Sequence, residues 1–226
     1  MKIRVAAVVV ALAALAGCST PPGSAPAAPA PALPEDAIAY DDLLSTDRQF
    51  PFDNTCDQLN PDSLDRVGAQ DVRVLETIAG PSGCAVEFGN AELDELWIET
   101  QSPPNPSEPR YFPLLWNGDA GTSVSYHRRL LVGERYYAVE TIDFYGAQPG
   151  CYLTVDTGSP HALRFRGIVP EAVAARYGEL NYAMTDYEID HAGTERFMTD
   201  NCPVVEQAAL VLLGDIDPGG GSLATS

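Results

Sequence analysis

Positive charge is what this 226-residue chain has least of: Lys and Arg together number 13 against 32 Asp and Glu, a formal net charge of −19. Only one of those bases is a lysine, Lys2. A surface this acidic repels phosphate backbones and anionic headgroups, which excludes nucleic-acid binding and electrostatic docking on anionic lipid. Catalytic signatures are scarce too. No glycine-rich phosphate loop is present, and Gly121-Thr122-Ser123-Val124-Ser125 fails the G-x-S-x-G pattern at its last position. His127, His161 and His191 lie far apart, with no H-E-x-x-H and no cysteine at ligand spacing, so no metal site is expected. The acids Asp53, Asp57, Asp62 and Asp65 lack the glycine and spacing of a calcium loop and read as a solvated, helix-capping face. No cofactor is implied. The apolar run from Val5 to Leu15 has eleven residues. At about 1.5 Å each they cannot cross a hydrocarbon core of roughly 30 Å.

What is present begins with an address. Lys2 and Arg4 precede the apolar run, and residues 1–17 read as a signal peptide. Its end, Leu15-Ala16-Gly17-Cys18, resembles the lipobox of bacterial lipoproteins. That resemblance implies that Cys18 carries diacylglycerol and becomes the mature N-terminus, tethering the protein to the cell membrane on its extracytoplasmic side. Two acyl chains suffice for stable anchoring. Removal of Lys2 and Arg4 leaves 11 bases against 32 acids, or −21. Residues 18–35 form the tether. Ser19 to Pro34 is almost only Pro, Ala, Gly, Ser and Thr, which cannot bury a core and favours extended polyproline II.

Setting Cys18 aside leaves Cys56, Cys84, Cys151 and Cys202. Four cysteines in an exported domain imply two disulfides with three possible pairings. Sequence order favours Cys56–Cys84 and Cys151–Cys202, each stapling one half. The pattern of short elements predicts a single α+β domain over residues 36–216, with an antiparallel sheet, a few short helices and a flexible tail from 217 to 226. A helix is expected over Leu59 to Gly68, with Asn60 as N-cap and Gly68 as stop. β-type runs at Val72–Ile78, Cys84–Phe88, Leu96–Thr100, Ser123–Val132, Arg135–Phe144, Cys151–Asp156 and Ala162–Arg166 supply the sheet. Ser102 to Pro109 is a proline-rich loop, Pro170–Tyr177 a short helix and Pro203–Leu213 the longest helical stretch.

The run Phe52 to Leu59, then Leu64 to Gly68, Gly83-Cys84 and the late Cys202 are similar to the pattern of an actinobacterial cell-envelope lipoprotein family catalogued as a domain of unknown function. The chain departs from that pattern at Asn54-Thr55, where Asp-Pro is usual, and at Val86, where Trp is common. The resemblance implies fold and location and brings no activity with it.

Two features carry possible function. Thr154-Val155-Asp156-Thr157-Gly158-Ser159 resembles the D-T-G motif of aspartic proteases, and Leu212-Leu213-Gly214-Asp215 resembles the apolar-apolar-Gly element of the retroviral type. A hydrolase using Asp156 is the alternative reading. Against it, D-T-G-S between two strands is also ordinary turn chemistry, which predicts an exposed Asp156 bonded to nearby backbone amides, far from a helix ending at Leu213-Gly214. The second feature is an aromatic run between residues 110 and 152: aromatics on β-strands are mainly core, and Tyr111, Trp116, Tyr126, Tyr136 and Tyr137 are also candidates for a binding surface. The reading favoured by the sequence is a non-enzymatic binding or interaction module of the envelope, meeting a protein partner or small ligand.

Overall fold

A computed structural model of the chain describes residues 48–89, 92–103, 110–117, 127–143, 149–177 and 191–222. The signal peptide, Cys18 and tether, Tyr126, and most of the proline-rich loop lie outside the described residues. The fold is a mixed α+β single domain built on one seven-stranded antiparallel sheet. In chain order the elements are α1 (Pro61–Val67), β1 (Ala69–Thr77), β2 (Gly80–Phe88), β3 (Glu95–Gln101), α2 (Phe112–Trp116), β4 (His127–Val132), β5 (Tyr136–Asp143), β6 (Gly150–Asp156), β7 (Ala162–Ile168), α3 (Glu171–Ala174) and α4 (His191–Ile216). Strand order across the sheet is β1-β2-β3-β7-β6-β5-β4. Local hairpins supply most of the pairings. The joint between the halves, β3 against β7, pairs strands far apart in sequence, with Trp97 opposite Arg166 and Glu99 opposite Arg164.

Local chemistry sets the ends of α1. Asn60 accepts from the Asp62 amide at 2.9 Å, Pro61 fills the first turn, and Gly68 at φ 77° stops the helix in the left-handed region. Asp215 of α4 accepts from the Asn60 amide and from Ser63 Oγ, each at 2.9 Å, so α4 positions the start of α1. Between β4 and β5 the turn residues Gly133 and Glu134 both have positive φ, and Arg135 N donates to Val132 O at 3.1 Å.

Strand alternation divides the apolar residues between two faces. Cys84, Val86, Leu96, Ile98, Leu153, Val155, Leu163 and Phe165 point to the main core, which α4 covers with Phe197, Met198, Val205, Ala209, Leu212 and Leu213. Met198, Cys202, Val205, Ala209 and Leu212 recur at three- and four-residue intervals, the stripe that lays a helix along a sheet. The opposite face carries a smaller core of Phe112, Leu115, Trp116, Tyr137, Val139 and Ala162 under α2. Cys56–Cys84 ties the segment before α1 to β2, and Cys151–Cys202 ties β6 to α4.

Two expectations are corrected. The last helix is not a short one beginning at Pro203; it has 26 residues and runs straight through that proline. Pro203 lacks the amide that would bond residue 199, and burial of Phe197, Met198 and the disulfide-bonded Cys202 offsets that loss. Nor are residues 217–222 a loose tail. Asp217 and Ser222 are buried, and Ser222 Oγ donates to Asp156 O at 2.9 Å while accepting the Tyr137 amide at 2.8 Å.

Candidate functional site

The D-T-G-S segment forms the turn between β6 and β7. Its aspartate is not exposed, contrary to the turn reading: Asp156 is 2% accessible. Its Oδ1 accepts from Arg110 Nη2 at 2.7 Å and from the Gly158 amide at 2.9 Å, the latter being the backbone bond that turn chemistry predicts. Arg110, only 7% accessible, also donates from Nε to Ser159 O at 3.2 Å. The remaining polar groups close on each other. Thr157 Oγ1 and Ser159 Oγ both donate to His161 O, at 3.0 and 2.9 Å. The reason sequence reasoning missed this burial is that Arg110 arrives from a segment 46 residues away.

The element that a retroviral-type hydrolase needs at Leu212–Asp215 is helical, being the last part of α4. Asp215, as described, serves the start of α1. The helix expected to end at Leu213-Gly214 runs on to Ile216. The segment after α4 turns back against that loop through Ser222 and through Arg48, which bonds Thr157 O at 2.8 Å and Asp217 at 2.6 Å.

The candidate aromatic surface is also redistributed. Trp116 and Tyr137 are 2% and 3% accessible and meet edge to face at 5.3 Å, in the smaller core. Tyr111 packs partly buried against that core. Tyr136 points to the opposite face, where it is fully buried and donates from its hydroxyl to Asp217 O at 2.9 Å. Burial and the nearby Asp217 carboxylate push its hydroxyl up to about 12. Trp116, Tyr136 and Tyr137 are therefore core, as strand aromatics mainly are, on two sides of a sheet.

A different set of side chains meets outside the main core. On the sheet face that bears α2, Trp97 of β3, Arg166 of β7 and Tyr152 of β6 occupy one row, since Arg166 is directly opposite both its neighbours. The Arg166 guanidinium carbon lies 4.6 Å from the centre of the Trp97 ring and 5.4 Å from that of Tyr152. One pair further along, Arg164 stands over the Tyr152 ring at 5.1 Å and bonds Glu99 through Nη2 at 2.9 Å. The result is an alternating ladder of rings and cations, each rung holding its neighbour's plane. Nε1 of Trp97 and Nε of Arg166 are both buried and have no hydrogen-bond acceptor among the described residues. Buried donors are normally satisfied, so two adjacent exceptions call for a physical account.

The sequence held a partial signal for this ladder. Arg164-Phe165-Arg166 puts two cations on one face of a strand, and Trp97-Ile98-Glu99 puts a ring and an acid on another. Nothing local shows that β3 and β7 are neighbours.

Arg128 of β4 bridges Glu140 of β5 at 2.6 Å and Glu206 of α4 at 2.9 Å beneath the helix. Among the described residues no group of three or more His, Cys, Asp or Glu is placed to hold a metal ion. Compared with protein-family models, with curated proteins and with solved structures, the chain matches none of them.

Proposed function

We propose that this chain is a membrane-tethered lipoprotein of the cell envelope, anchored through Cys18, whose folded unit is a non-enzymatic binding module. The lipobox-like Leu15-Ala16-Gly17-Cys18 supports the anchor, as does the resemblance to the actinobacterial lipoprotein pattern. Two disulfides fit an oxidising compartment outside the cytoplasm. Asp156 is committed to Arg110 and to its own turn, which suits a structural role and not the activation of water.

The observation that carries the binding reading is the ladder on the α2-bearing face of the sheet. Tyr, Trp and Arg dominate binding hot spots because they combine large area with polar reach, and here they stand on rigid strands. Capture from solubilised envelope by the full-length protein tests the reading. Trp97→Ala should abolish retention of whatever the wild type holds, while Asp156→Asn should leave retention intact in the fraction that folds. Retention that survives Trp97→Ala and Arg166→Met would overturn it.

A further inference from the structure

The geometry points to an oxoanion, carboxylate or phosphate, as the group recognised between Trp97 and Arg166. This rests on the binding-module reading and adds the chemistry of the ligand. Among the described residues, the other cations that β1, β2, β3 and β7 place on this face each have an acid. Arg73 pairs with Glu95 and lies 3.5 Å from Glu87, and Arg164 pairs with Glu99. Among the described residues Arg166 pairs with none, although the chain has 32 acids to draw on. Beside it, in the facing register position, stands a second donor, the Trp97 indole, that has no acceptor among the described residues.

Two adjacent donors, one of them cationic, are complementary to an acceptor that carries negative charge. The flanking rings of Trp97 and Tyr152 hold the guanidinium in place and displace water from its faces, which strengthens a charge-assisted bond. A guanidinium fork matches the paired oxygens of carboxylate or phosphate. A cation or an apolar ligand would leave both donors unmet, and burial makes that costly. A purely mechanical clamp between β3 and β7 explains the stacking, but not the missing acceptors.

The test uses the full-length protein in neutral detergent, titrated with citrate or with inorganic phosphate at constant ionic strength balanced by chloride. The side-chain N–H resonances of Trp97 and Arg166 are followed by NMR. Both should shift saturably with one of the anions, and the better anion separates a carboxylate site from a phosphate site. Arg166→Met should weaken binding at least tenfold. Trp97→Phe keeps the ring but removes the donor, and should weaken it several-fold in a protein that remains folded. Glu99→Gln frees Arg164 and should tighten binding several-fold, an effect that a structural clamp would not produce.

Shifts that stay linear, or that persist unchanged in Arg166→Met and Trp97→Phe, would overturn the inference. If neither anion binds while envelope capture still depends on Trp97 and Arg166, the oxoanion falls and the binding module stands. If an anion binds but capture ignores both residues, the site stands and the envelope-binding reading falls.

Discussion

At the scale of single residues, the buried charges decide the most. Asp156 and Arg110 are both nearly inaccessible, so removing one leaves the other desolvated without compensation. Arg110→Met should cost about 3–5 kcal/mol in urea unfolding. Adding Asp156→Asn to that variant should cost less than the sum of the two single changes, and the double-mutant cycle measures the difference. Glu140 offers a pH readout. Burial is the main force raising its carboxyl from 4.5 to about 8; the Glu206 carboxylate adds to the rise, and Arg128 opposes it. An acid whose folded value is raised binds its proton more tightly when folded. Its contribution is complete below the unfolded value of 4.5 and is lost as pH rises through about 8. Urea midpoints should therefore fall across this window, and Glu140→Gln should flatten that slope. These burials are what the sequence concealed: it marks Asp156 as a turn residue, while the partner that buries it comes from a distant segment.

At the scale of elements, legibility follows the range of the interactions. Hairpins such as β6–β7 and the caps of α1 are set by neighbours in sequence, and both were readable. The disulfide pairs followed from order along the chain. The β3–β7 joint and the first twelve residues of α4 were not readable, because each is stabilised by packing against elements remote in sequence. Pro203, a strong starting signal, concealed the earlier helical turns. How closely α4 sits is testable at Gly167, where an added Cβ would lie 2.2 Å from Val205 Cγ2 and 3.1 Å from Leu93 Cδ1. Gly167→Ala should destabilise by about 1–3 kcal/mol, and Val205→Ala in the same chain should recover part of that loss in thermal unfolding. The Cys151–Cys202 link, spanning 51 residues, fixes the same face of the helix to β6. Replacing both cysteines by serine should cost about 4 kcal/mol in the chain-entropy model, and non-reducing peptide mapping should recover the native pairs Cys56–Cys84 and Cys151–Cys202 from the wild type.

At the scale of the whole molecule, the proposed anchor and the two ends of the described fold are each open to test. Cys18→Ala should leave uncleaved or misplaced precursor, and mass spectrometry of the mature N-terminus checks this; an unmodified start elsewhere than Cys18 would overturn the lipoprotein reading. Arg48, where the described chain begins, bonds Asp217 and the Asp156 turn, and Ser222, where it ends, is fastened to the same turn. Entry and exit are thus neighbours, and nearby termini are what make a unit tolerant of permutation. At the far end of β1, Ile78 and Ala79 are exposed in the turn to β2. A circular permutant that joins residues 48 and 222 by a short Gly/Ser linker and opens the chain between Ile78 and Ala79 keeps every strand intact. It should therefore refold with both disulfides, and the same adjacency lets the unit be grafted into a surface loop of a host protein without splitting the host.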